Sequence, residues 1–147
     1  MTKKILIRVD ASIEIGAGHF VRQLAFAQLL IDERFDVYFF TKTTQKELIN
    51  QAIEEGVHIQ TLANSITIEA DAQETVAYAK KINAHWVILD GYSFVTEYQQ
   101  TLKDEGPKLL CVDDMAHCHF VADIVLNQNT TDGRIYSKEP YTQLLRG

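Results

Sequence analysis

Short apolar runs alternate with segments of helical periodicity from one end of this chain to the other. KILIRV (4–9), DVYFF (36–40), a weaker run at 57–62, WVILD (86–90), KLLCV (108–112) and ADIVLN (122–127) are rich in β-branched and aromatic residues. Between them apolar residues recur every three or four positions: Phe20, Leu24, Ala27 and Ile31; Leu48, Ile49, Ala52 and Ile53; Val76, Ala79 and Ile82; Val95, Tyr98 and Leu102. Strands joined by helices pair in parallel, with the helices lying on both faces of the sheet. WVILD shows little alternation, as a strand covered on both faces should. Because such crossovers are right-handed, the expectation is an α/β fold. It is a doubly wound, mainly parallel Rossmann-like sheet, its strands ordered 3-2-1-4-5-6.

Local signals mark the ends of the elements. Thr44 and Glu47 have the spacing of a capping box, and Gly56 supplies a left-handed stop to the helix they would open. Asp71 with Glu74 predicts the start of the next helix, and EGP at 105–107 ends the fourth. The polar, turn-rich segment after Asn129 fits this rhythm less well. The expected division is therefore a Rossmann-like domain over 1–129 and a linker over 130–147.

Composition removes several classes of function. At 147 residues with 46% hydrophobic and 23% charged, the chain is the size of one domain and can bury a core. A net charge of −6 argues against a nucleic-acid partner. No apolar run reaches the ~20 residues that span a bilayer, so no membrane insertion is expected. The N-terminus lacks the apolar core of a signal peptide. Two cysteines, Cys111 and Cys118, make no disulfide framework, and the expected location is cytoplasmic.

In a doubly wound sheet, ligands bind beyond the carboxyl ends of the strands, where strand order reverses. The polar residues of this chain gather there. Asp10, Ser12 and the loop Gly16-Ala17-Gly18-His19 follow the first strand, and Asp90-Gly91-Tyr92 ends the fourth. Asp113-Asp114 follows the fifth and Asn127-Gln128-Asn129 the sixth. The glycine loop is not a dinucleotide fingerprint: Val21 stands where the third glycine belongs, and FFTKTT holds no acid for a ribose. Nor does it match a P-loop. Asp113-Asp114 follows the wrong strand for a receiver domain. His117-Cys118-His119 point in different directions, and no distant ligand set matches zinc spacing, so no metal is expected.

Two readings of the glycine loop stand side by side. Gly16 and Gly18 either make a tight turn that His19 caps, or they clear space for a small reactant beside His19. Under the second reading, the positive end of the helix keeps the imidazole neutral and able to take a proton from water. Arg22, one turn on, either faces solvent or holds an anionic or hydroxyl-rich group. Asp10 caps a loop or meets a ligand, and Tyr92 packs in the core or lines the crevice.

RVDASIEIGAGHFVRQLAFAQLL, LDGYSFVTEYQQTLK and VDDMAHCHFVADIVLNQN together resemble the nucleotide-sugar hydrolases of pseudaminic acid biosynthesis, related to spore-coat polysaccharide biosynthesis proteins. The combination R-x-D…I-G-x-G-H-x-x-R is the specific part. The resemblance covers nearly the whole chain and implies the N-terminal domain of a GT-B fold, like that of the glycosyltransferase that completes lipid II. The implied substrate is UDP-2,4-diacetamido-2,4,6-trideoxy-β-L-altropyranose. Water attacks its anomeric carbon, UDP leaves with inversion, and neither cofactor nor metal takes part. The family's catalytic histidine falls on His19 and its active-site tyrosine on Tyr92. Asp10, Gly16, Gly18, Arg22, Asp114, Asn127 and Asn129 complete the expected substrate-binding set. The nucleotide is expected to be held by a C-terminal domain absent from this chain. The alternative is the acceptor-binding domain of a GT-B glycosyltransferase in surface polysaccharide synthesis.

Overall fold

The computed structural model describes residues 2–12, 16–129 and 135–146. Strands β1 (Lys4–Val9), β2 (Asp36–Thr41), β3 (His58–Thr61), β4 (Trp86–Asp90) and β5 (Lys108–Val112) alternate with helices α1 (Gly18–Asp32), α2 (Lys46–Glu54), α3 (Ile68–Ile82) and α4 (Thr96–Asp104). The short β6 (His119–Phe120), then β7 (Ile124–Asn127), β8 (Ser137–Lys138) and β9 (Gln143–Arg146) complete the chain. The main sheet is parallel, in the order β3-β2-β1-β4-β5-β7-β9. This is the expected doubly wound order with one strand more. The extra strand, β9, comes from the segment after Asn129; four residues ending in Leu-Leu-Arg carry too little pattern to announce it. Residues 130–134 and 147 of the expected linker lie outside the described residues.

The period-two rule divides the interior into two cores. Ile5, Ile7 and Val9 of β1, Val37 and Phe39 of β2 and Ile88 of β4 face α1 and α2. Leu6 of β1, Phe40 of β2, Val87 and Leu89 of β4 and Leu109 and Cys111 of β5 face α3 and α4. Phe20 pins the start of α1 to the sheet: it is fully buried and meets Phe39 edge to face at 5.2 Å. Truncating a phenylalanine in such a position costs about 3–5 kcal/mol.

Two helix starts differ from the sequence expectation. α2 begins at Lys46 with Gln45 as a cap that makes no side-chain bond. The capping box does not form, because the threonines ahead of the helix build a turn instead. Thr41 Oγ1 accepts from the Thr43 N–H (3.1 Å) and Thr43 Oγ1 from that of Gln45 (3.3 Å). α3 begins at Ile68, capped by Thr67, whose Oγ1 accepts from the Ala70 N–H at 3.1 Å. Asp71 opens no helix; it is buried inside the first turns and held by a cation.

That cation is Arg8. On β1 it shares Leu6's face and points, fully buried, toward α3. Its guanidinium donates to Asp71 through Nε (3.0 Å) and Nη2 (2.7 Å), to Asp10 through Nη1 (2.6 Å) and Nη2 (3.0 Å), and to the Phe40 carbonyl (3.2 Å). Tyr98 donates to Asp71 at 2.6 Å, and Lys42 Nζ lies 3.2 Å from it. Burial works to lower the guanidinium's pKa, but its bonds to Asp71 and Asp10 outweigh this and hold it charged. The cluster staples the ends of β1 and β2 to α3, just below the loops that carry the polar crevice.

Candidate functional site

Asp90 is the last residue of β4, two positions after Ile88, so it faces α1. On α1, His19, Arg22 and Gln23 stand at spacings of three and four and share one face. All three converge on this fully buried carboxylate. His19 Nδ1 lies 2.6 Å from Asp90 Oδ1. Arg22 donates through Nη2 to Oδ1 (2.7 Å) and Oδ2 (2.9 Å), and through Nε to Oδ2 (3.2 Å). Gln23 Nε2 donates to Oδ2 at 2.7 Å.

The carboxylate selects the tautomer of His19. Asp90 can only accept, so Nδ1 carries the proton and donates it, leaving the lone pair of the neutral ring on Nε2. Arg22 Nη2, 3.1 Å from Nδ1, is then a neighbouring charge rather than a donor to the ring. Among the described residues Nε2 has no hydrogen-bond partner, and the side chain is 18% exposed. The ring is therefore reachable from the crevice.

This corrects the expectation of a histidine kept neutral by the helix. The bond to Asp90 raises the imidazole pKa, against burial and the Arg22 charge, with further help from the Asp90 and Asp114 charges. A bonded carboxylate at 2.6 Å is a stronger and closer influence than the partial charge at a helix mouth.

Tyr92, half exposed, meets the His19 ring edge to face at 5.2 Å and donates to Asp114 at 3.0 Å. It therefore lines the crevice. Burial, and then the bond to Asp114, raise its pKa and keep the phenol a donor. Gly16 has φ +74°, where a side chain would be strained, and pairs with Ser12 across the loop. A Cβ on Gly18 would meet nothing within 4 Å among the described residues.

Of the other expected residues, Asp10 and Asn127 hold neighbouring segments together. Asp10 gives its oxygens to Arg8 and to the Lys42 N–H (2.7 Å), which ties the β2–α2 connection to β1. Asn127 is buried, bonded to Tyr136 (3.1 Å) and to the Asn129 N–H (2.8 Å), and shapes the loop after β7. Arg22, Asp114 and Asn129 line a cavity of about 240 Å³ with Val112, Asp113 and Gln128. Arg22 thus orients Asp90 with one edge and borders the crevice with the rest. His117 reaches the Tyr92 carbonyl (2.8 Å), while His119 bonds Ser137 (2.7 Å) and Glu139 (3.0 Å) in the opposite direction. Cys111 is buried, and burial raises its thiol pKa well above the ordinary value, which leaves it inert.

The sequence reading placed Asp90 in the crevice without giving it a role, and it passed over Gln23. The signal for Asp90 was its parity: an acid two residues beyond Ile88 at the end of a central strand faces the helix that carries His19. Gln23 had no such mark, since an amide on an apolar helix face reads as partly exposed.

No protein-family model matches the sequence, and no curated protein is significantly similar to it. Among solved structures, the crystal structure of Acinetobacter baumannii MurG matches with a TM-score of 0.67 at 16% identity. The match covers 92% of this chain and 44% of that one, so this chain spans less than half the length of MurG. The likeness shows the fold: a Rossmann-like sheet matching the N-terminal domain of a GT-B protein.

Proposed function

We propose that the chain is the N-terminal, acceptor-side half of a GT-B enzyme acting on UDP-sugars, with His19 as its general base. The observation that carries this reading is the His19–Asp90 pair, set at the switch point, with the His19 side chain partly exposed and its Nε2 without a hydrogen-bond partner among the described residues. In the proposed reaction a hydroxyl gives its proton to Nε2 as its oxygen bonds to the anomeric carbon. The bond from that carbon to the diphosphate oxygen breaks, UDP leaves with the electron pair, and the configuration inverts. Asp90 stabilises the imidazolium that forms, as the carboxylate of a hydrolase triad does. UDP is a good leaving group, so no dedicated acid is needed. The nucleotide would be held by a second Rossmann-like domain facing the crevice.

The attacking hydroxyl belongs, in this proposal, to a sugar acceptor in surface polysaccharide synthesis; the likeness to MurG, a GT-B glycosyltransferase, supports it. Water is the second reading, supported by the R-x-D…I-G-x-G-H-x-x-R signature and its resemblance to hydrolases of UDP-diacetamido sugars. Product identity separates them. The protein carrying this chain is given UDP-N-acetylhexosamines and UDP-diacetamido sugars, with and without acceptor glycans, and UDP release is followed. A glycoside as product means transfer, and free sugar without acceptor means hydrolysis. His19→Ala should cost about 10²–10⁴-fold in either case. Turnover untouched by that substitution ends the assignment of the base.

A further inference from the structure

Gln23 is 1% exposed, and its amide is only half used. Nε2 donates to Asp90 at 2.7 Å, while Oε1 is buried without a hydrogen-bond partner among the described residues. A buried carbonyl left unpaired is a standing cost, and a methionine or leucine of similar size would avoid it. Nor does Asp90 need this donor in order to be satisfied: Arg22 already reaches both of its oxygens, and His19 takes Oδ1. The amide can be turned only one way, since reversing it would aim Oε1 at the carboxylate. A group with a structural debt and no structural need calls for another account.

We infer that Gln23 is a positioning residue acting on His19 through Asp90: its amide, bound to Oδ2, draws part of the carboxylate's charge toward that oxygen and away from the Oδ1 that meets His19. This rests on the proposed role of His19 and deepens it. Four groups face the imidazole: Asp90 from β4, Arg22 from α1, Tyr92 from the β4–α4 loop, and Asp114 from the segment after β5. Of the partners of Asp90, Gln23 alone is neutral and fully enclosed, so it tunes the carboxylate without adding a charge or reaching the substrate.

The test is an NMR titration of the His19 ring in the 147-residue chain, comparing the parent with Gln23→Met and Gln23→Leu, together with the Tm of each. Without the amide the carboxylate holds the imidazole proton more tightly, and the His19 midpoint should rise by about half a pH unit. Tm should stay level or rise, because the unpaired carbonyl has gone. An unmoved or lowered midpoint in both variants overturns the inference whatever Tm does. A Tm lowered by more than about 2 °C in both makes Gln23 an ordinary structural amide and overturns it as well. No substrate enters the measurement, so absence of turnover in the UDP-sugar assay bears on the proposed function and not on this result.

Discussion

The titration of His19 couples two properties of the site that change in opposite directions. Its folded pKa is raised above the ordinary 6.5 by the bond to Asp90. The protonated pair therefore contributes stability that is fully present below 6.5 and is lost as pH rises through the folded midpoint. Base strength runs the other way, because only the neutral ring accepts a proton. Turnover should climb across the same window above 6.5 in which this part of the stability fades. Asp90→Asn removes the carboxylate and leaves Arg22 facing the ring, so the midpoint should drop and the acid limb of the rate profile should follow it to lower pH. The rate plateau should fall as well, since an asparagine can present its N–H to Nδ1 and favour the wrong tautomer. A His19 midpoint that stays where it is in Asp90→Asn, read by NMR, would show that the pair is not coupled.

At the level of elements, caps separate sequence pattern from realised structure. Thr67 caps α3 through its hydroxyl, and Thr67→Ala should cost about 1 kcal/mol in denaturant unfolding. Thr44→Ala should cost nothing measurable, because the box that Thr44 would head does not form. Equal losses in the two variants would contradict this assignment of the caps. Sequence favours the wrong one of the two: Thr44 has Glu47 three residues on and Thr67 only Ala70, and neither spacing reveals that Thr41 and Thr43 will build a turn ahead of α2. The same limit explains what was legible in the fold. β1, β2, β4, β5 and β7 were visible because each carries three or four apolar residues in a row between polar flanks. The stop at Gly56, with φ +92°, was visible because few other residues take that conformation. β9 and the β6–β8 pair were invisible, being two to four residues held by register with distant partners. In the site, His19, Tyr92 and Arg22 were legible as loop chemistry beside a glycine turn. The direction of the His19 shift was not, because it depends on a carboxylate 71 residues away.

At the scale of the whole molecule, the crevice stands on a buried charge cluster that ties the ends of β1 and β2 to α3 and α4. Arg8 joins β1 to α3 through Asp71, to its own loop through Asp10, and to β2 through the Phe40 carbonyl. Asp71 answers with Tyr98 from α4 and Lys42 from the β2–α2 connection. Burial alone would raise the pKa of Asp71, but Arg8, Tyr98 and Lys42 hold it below the ordinary 3.8. Its contribution to stability is therefore present above 3.8 and lost as pH falls through the lower folded midpoint. Asp71→Leu takes away two of the bonds that hold the buried Arg8 and leaves it with Asp10 and the Phe40 carbonyl, so it should cost about 3–5 kcal/mol. Arg8→Met with Asp71→Leu should cost clearly less than the sum of the single changes, because neither charge then lacks its partner. Denaturant unfolding of the two single variants and the double closes the cycle. Additive losses would mean that the two side chains act independently, and that the loops around His19 do not depend on their pairing. A strong coupling, with the His19 titration displaced in Asp71→Leu, would show that the α3 side of the sheet holds the α1 side in register for chemistry.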